Sequence, residues 1–224
     1  MSATGPAATG SPHDRGRITG GLLLRDPLDD DAAAGAGDYP VLFPATFAPL
    51  GIDLRVYEVT EGELPGGTDE CEAWMTSGSR RSAYEDEAWI VDTTAFVAQL
   101  AEERRPHAGI CFGHQLTALA LGGEVRRAPV GWGVGGRTFD VVEPAPWMEP
   151  GASRFTLLMS HRDQVTRLPD GATLVAAADY CPVGAYRVDH HVFCVQGHPE
   201  FVPGLSAHLM ERRRAPIGDE VGEA

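Results

Sequence analysis

The chain has 224 residues, with 18 Lys and Arg against 32 Asp and Glu, for a formal charge of −14. That length suits one α/β domain, or one and a half small ones, and 43% hydrophobic residues can fill a sizeable core. The acidic balance argues against nucleic acid or an anionic membrane as a partner and fits a cytoplasmic protein.

Two absences narrow the chemistry. There is no Lys, so all 18 basic residues are Arg. That excludes a phosphate-binding Walker lysine, a Schiff base and a pyridoxal-phosphate site. There is also no Asn, which excludes a Cys-His-Asn triad and N-glycosylation. Any cysteine hydrolase here must orient its histidine with a carboxylate. Cys71, Cys111, Cys181 and Cys194 form no CxxC pair and no disulfide framework.

Residues 1–17 lack an apolar core and read as a disordered lead rather than a signal peptide. Ile18 to Leu24 is a strand candidate, and the acidic, Ala/Gly-rich stretch Asp26 to Asp38 is a loop. Tyr39 to Leu50 suits a helix with Pro40 in its first turn. Ile52 to Val59 alternates as a strand, and Glu72 to Thr76 is a short strand ending in the Gly78 turn. Glu87 to Arg105 is the clearest helix, with Trp89, Ile90, Phe96, Val97 and Leu100 near period 3.6. A strand ends at Gly109-Ile110, and an apolar helix over Gly113 to Leu121 closes at Gly122-Gly123. Further strands are expected near Glu124 to Arg127, Arg137 to Val142, Arg154 to Met159, Thr173 to Ala177, Gly184 to Val188 and Val192 to Gln196. Pro203 to Arg213 reads as a last helix and residues 214–224 as a loose tail. Strands alternating with helices imply a parallel sheet, and the later run of strands adds antiparallel pairs.

Gly109-Ile110-Cys111-Phe112-Gly113 has the form G-x-C-x-G between a strand and a helix, the elbow logic of a serine hydrolase with sulfur in place of oxygen. The turn would expose Cys111 at the carboxyl end of the sheet, where α/β proteins bind ligands. It also sets the sulfur at a helix N-terminus, which favours thiolate, and aims the Phe112 N–H where an oxyanion would form. A small buried hydrophobe is the alternative reading of Cys111. Downstream, Gln196-Gly197-His198-Pro199-Glu200-Phe201 follows a strand. Pro199 keeps the segment extended, so His198 and Glu200 project to one side and can be neighbours. The carboxylate would then fix the imidazole tautomer. A surface His beside a surface Glu is the alternative.

Together these segments resemble the class I (triad) glutamine amidotransferases. Gly109 to Gln115 is similar to the nucleophile motif and Gln196 to Phe201 to the His/Glu motif, in the same order. Leu121-Gly-Gly-Glu-Val125, Ser160-His-Arg-Asp-Gln-Val165, Leu168-Pro169, Cys181-Pro182 and Thr76-Ser-Gly-Ser79 add agreement, and the resemblance covers roughly Ile18 to Arg213. It implies a flavodoxin-like three-layer α/β sandwich over residues 18–213, with a central, mostly parallel sheet. It also implies hydrolysis of a glutamine side-chain amide through a γ-glutamyl thioester. Cys111 would be the nucleophile, His198 the proton carrier and Glu200 its orienter. Phe112 and Gly78 would supply the oxyanion N–H groups, and Gln115, Ser160 and His161 would line the substrate. No cofactor and no metal are implied.

Ser79-Arg80-Arg81 replaces a proline-containing turn of relatives. The Arg pair reads as solvated, with steering of an acidic substrate or partner as the alternative. Gly131 to Gly136 lacks the charge often seen in that loop, which puts the loop's usual contacts in doubt. No synthetase segment is present, so released ammonia would need a separate acceptor subunit. A stand-alone γ-glutamyl peptidase and a silent binding module remain as alternatives. Cys181, His190, His191, Cys194 and His198 match no zinc spacing. His114 reads as structural, and Trp74, Trp89, Trp132 and Trp147 as core or rim.

Overall fold

The computed structural model describes residues 16–24, 39–148 and 151–217. Most of the expected lead, the acidic loop Asp26 to Asp38 and the end of the expected tail lie outside the described residues. In chain order the first half runs β1 (Ile18–Leu24), α1 (Tyr39–Phe47), β2 (Ile52–Glu58), β3 (Ala73–Thr76), α2 (Ala88–Glu102), β4 (His107–Ile110) and α3 (Phe112–Ala120). The second half runs β5 (Glu124–Arg127), β6 (Gly133–Val141), β7 (Arg154–His161), β8 (Asp163–Arg167), β9 (Ala172–Ala178), β10 (Cys181–Val188) and β11 (Val192–Val195). It closes with α4 (Pro203–Arg212) and α5 (Arg214–Ile217). None of the described helices is long and apolar enough to cross a membrane.

Nine strands form one sheet in the order β2-β1-β3-β4-β11-β10-β9-β6-β7. The first five pair in parallel and the rest antiparallel. The side-chain period of a strand explains the layers. In β1, Leu22 and Leu24 join the core that includes Leu42 and Phe43 of α1, whereas Leu23 joins the core on the other face with Ile90, Phe96 and Leu100 of α2. The apolar stripe on α2 therefore seals one face of the parallel half, and α1 with Leu205 and Leu209 of α4 covers the other. This is the layered α/β arrangement expected, with the parallel half at its centre.

Three expectations shift. The segment Asp163–Arg167 is a strand, β8, that pairs with β5 in a separate two-stranded sheet. Its burial runs in a block rather than alternating, so it carries no period-2 signal. β6 begins at Gly133 rather than Arg137, because the glycine-rich run pairs with β7. A Cβ at Gly133 would stand 2.4 Å from Cε1 of His161, so that strand needs glycine to pass the imidazole. Residues Arg214–Ile217, expected in the loose tail, form a single helical turn.

The elbow after β4 is tight. A Cβ on Gly113 would lie 2.3 Å from the carbonyl oxygen of Thr76, and one on Gly109 would lie 2.7 Å from the carbonyl oxygen of Gly113. Both obstacles are backbone and cannot rotate away. Gly113→Ala is therefore expected to cost about 2 kcal/mol or more of stability, read as a lower denaturant midpoint. Gly204→Ala meets nothing within 4 Å inside α4 and should be neutral or stabilising by up to about 1 kcal/mol. Equal midpoints for the two variants would contradict this account of the elbow.

Candidate active site

β3, β4 and β11 lie in adjacent positions around β4 and end at the same edge. Gly78 lies just past the end of β3, Cys111 directly follows β4, and His198 follows β11. Parallel pairing thus delivers three sequence-distant segments to one place. Cys111 sits at φ 53° and ψ −100°, a region that residues with a Cβ rarely occupy. Its N–H donates to the Val195 carbonyl at 3.0 Å, and the Gly113 N–H donates to the Ser77 carbonyl at 3.1 Å. These bonds pin the turn on both sides.

A Cβ at Gly78 would fall 2.9 Å from Cε1 of His198 and 3.7 Å from Cβ of Cys111. Thiol-bearing carbon and imidazole therefore flank one point, which only glycine leaves open. Nδ1 of His198 is 2.7 Å from Oε1 of Glu200. The two side chains are 3% and 0% exposed, so the pair is closed to solvent. The His198 N–H donates to the Leu158 carbonyl of β7 at 2.9 Å. The ring stacks on Phe201 with centroids 3.8 Å apart, and Phe201 stacks in turn on Tyr39. The imidazole is held by a carboxylate, an aromatic face and its own backbone.

Burial opposes a charge on His198, but the negative charges of Cys111 and Glu200 and their hydrogen bonds outweigh it, raising the imidazole to about 10. His161 behaves oppositely. Burial, then the charges of His198 and Arg137, lower it to about 3, so the second imidazole stays neutral and the proton is localised on His198.

A cleft of about 170 Å³ opens beside the sulfur, lined by Cys111, Phe112, Gln115, Ser160 and His161 together with Ser79, Arg80, Arg81, Trp132, Arg162, Asp163 and Arg213. All three residues expected to line a substrate are thus present. The Gln115 amide is committed internally, donating to the Asp163 carbonyl at 2.6 Å and to Oε1 of Gln196 at 3.1 Å. Arg81 is a solvated rim residue bridged to Glu85 and Glu87. His114 is fully buried away from the cleft, against the Tyr186 ring. Cys181 and Cys194 lie in different core clusters, and His190 and His191 fall in the turn between β10 and β11.

Asp163 was not singled out from sequence. It is 6% exposed, and its Oδ2 accepts a short hydrogen bond from the Ser82 hydroxyl. Its Oδ1 has no hydrogen-bond partner, and neither has the buried Nε of Arg162, 3.8 Å away. Its place in the segment Ser160-His-Arg-Asp-Gln-Val165, which carries part of the family resemblance, was the available signal. Trp132, read as core or rim, and Arg213 were not assigned to the site, because nothing local marks which Trp or which Arg of a triplet faces a cleft.

A layered fold with a cysteine elbow beside a buried histidine defines a class of α/β proteins, and likeness to known proteins narrows it to a family. The model of the glutamine amidotransferase class-I family matches residues 51–215, so the chain belongs to that family. Gamma-glutamyl peptidase 2 of Arabidopsis thaliana is 31% identical over 182 residues, covering 79% of this chain and 73% of the relative. The glutamine-hydrolyzing GMP synthase of Aeropyrum pernix is 40% identical over 168 residues, covering 73% of this chain but 31% of the relative. In fold, the chain resembles a glutamine amidotransferase from Thermotoga maritima at TM-score 0.75 and 18% identity, over 93% of this chain and 86% of that one.

The raised His198 carries a consequence for stability. A group whose folded pKa exceeds its unfolded value stabilises the fold at low pH. That contribution is complete below the ordinary histidine value of 6.5 and disappears as pH climbs through about 10. Glu200→Gln removes one of the two negative charges, so His198 should titrate at lower pH, and the loss of stability, still beginning near the ordinary histidine value, should be smaller and complete at a lower pH. Histidine NMR titration of both proteins checks this, and an unmoved His198 resonance would contradict it.

Proposed function

We propose that the chain is a thiol amidohydrolase that cleaves γ-glutamyl amides through a γ-glutamyl thioester on Cys111. The observation that carries this reading is the approach of Cys111 and His198 to one point at Gly78, with Glu200 2.7 Å behind the imidazole. Cys111 thiolate attacks the side-chain amide carbon, and the carbonyl oxygen becomes an oxyanion received by the backbone N–H groups of Phe112 and Gly78. His198 gives its proton to the departing nitrogen, and the C–N bond breaks. The imidazole, now neutral, takes a proton from water as the water oxygen attacks the thioester. The C–S bond breaks, releasing glutamate and restoring the thiolate. Glu200 holds the His198 tautomer through both halves.

The γ-glutamyl head is a zwitterion, and the cleft offers a matching pair. Oδ1 of Asp163 is a buried acceptor without a hydrogen-bond partner, suited to the α-ammonium, and Arg162 beside it suits the α-carboxylate. Ser82 fixes the other oxygen of Asp163, so the acceptor is already oriented.

Independent action on γ-glutamyl amides is supported by the breadth of likeness to the gamma-glutamyl peptidases, which this chain covers over about three quarters of their length. A second reading shares every chemical step. The likeness to the GMP synthases favours glutamine as substrate, with ammonia passed to a separate acceptor subunit.

Cys111→Ala is expected to lower turnover of glutamine and of γ-glutamyl amides alike by about 10⁴-fold or more. A variant that retains turnover would overturn the mechanism. Asp163→Asn should lower kcat/KM by about 10- to 100-fold, from loss of a charged hydrogen bond of about 1.5–3 kcal/mol. An additive partner chain that raises glutamine turnover manyfold while leaving γ-glutamyl amides unaffected would favour the second reading.

A further inference from the structure

The chain as a whole carries −14, yet the cleft wall inverts that sign. Arg80, Arg81, Arg162 and Arg213 line it, and Asp163 is the one acid among the lining residues. The first three of these cations are engaged. Arg81 bridges to Glu85 and Glu87, and Arg162 stands 3.8 Å from Asp163.

Arg213 differs. Its Nη1 donates to the Ser160 hydroxyl at 2.6 Å, and its guanidinium lies 5.7 Å from the centre of the Trp132 ring. Arg162 sits at the same distance from that ring. A hydroxyl and an indole face hold a guanidinium still without neutralising it. Among the described residues no carboxylate pairs with Arg213, and most of its five donors remain available. The side chain is half-buried at the end of α4 and faces the same cleft as the sulfur of Cys111.

Resting on the reading above, the γ-glutamyl head brings one ammonium and one carboxylate, matched by Asp163 and Arg162, and adds no net charge. Glutamine brings nothing more, since its leaving group is ammonia. The positive charge of Arg213 then has no counterpart in glutamine. We infer that Arg213, seated on Trp132 and Ser160, is a specificity-determining residue that binds an anionic group on the leaving amine. The substrates it selects are γ-glutamyl amides whose amine carries a carboxylate, in preference to glutamine and to γ-glutamyl polyamines, whose leaving groups are neutral or cationic.

The test compares initial rates of the full chain on γ-glutamylglycine and on γ-glutamylglycinamide, which differ only in the carboxylate, with glutamine and γ-glutamylputrescine alongside. The acid should exceed the amide in kcat/KM by about tenfold, mainly through KM, and the polyamine conjugate should be poorest. Raising salt from about 0.05 M to about 0.5 M should shrink the acid-to-amide ratio, a measurement that needs no variant. R213Q should bring the ratio to within about twofold of one, and R213K, which keeps the charge, should retain part of it. Equal kcat/KM for acid and amide in the unaltered protein would overturn the inference while leaving the proposed hydrolase standing. R213Q lowering all four substrates alike would also overturn it, by assigning Arg213 to the γ-glutamyl head. Absence of turnover on every γ-glutamyl compound would remove the proposed function and this inference with it.

Discussion

At Cys111 the backbone adopts φ 53° and ψ −100°, a conformation that costs a residue with a side chain about 1–3 kcal/mol. The surroundings over-determine it. The Cys111 N–H continues the ladder to Val195, the Gly113 N–H reaches Ser77, and the Gln115 N–H returns to the Cys111 carbonyl at 3.2 Å. Glycines at 109 and 113 let the turn pass within contact of Thr76 and of its own backbone. Relaxing the turn would break ladder bonds on both sides, so the strain persists. Its product is direction, for the turn carries the sulfur out of the strand and toward His198.

That direction matters because the charges it assembles stand only as a set. Removing a carboxylate and an imidazole from water to 0% and 3% side-chain exposure is costly. A positive ring between two negative groups offsets the burial, as the raised His198 records. The stack on Phe201 and Tyr39 excludes water from the ring face, which strengthens the same attractions. His161 cannot share the proton, since burial and the charge on His198 hold it neutral. A single imidazolium beside a single thiol follows from packing as much as from sequence.

The parallel half and the elbow were legible because each rests on a local rule. Alternation marks β2, the 3.6 period marks α2, and small residues around Cys111 mark a close turn. Pro199 placed His198 and Glu200 on one side of an extended segment, and their 2.7 Å contact agrees. What escaped notice depends on tertiary closure. β8 is buried in a block because it pairs with β5 alone and packs its first three residues inward. The start of β6 is glycine, which strands disfavour, and its reason is the His161 ring across the ladder. Asp163, Trp132 and Arg213 come from β8, the approach to β6 and the end of α4, and no spacing in the chain announces that they converge.

The antiparallel half explains that convergence. In sheet order β7 lies four places from β11, yet its Leu158 carbonyl accepts the His198 N–H of the segment that follows β11. The sheet must therefore curl until its far edge meets the carboxyl ends of its parallel half. A Cβ at Gly197 would stand 2.6 Å from Leu157, so glycine is what lets the two segments close. One strand then serves two ends of the site. Leu158 fixes the backbone of the base, while Ser160, two residues on, receives Arg213 and His161 enters the cleft wall. Chemistry and wall share β7, so the position of the cation relative to the sulfur is set by the same curl that sets the base.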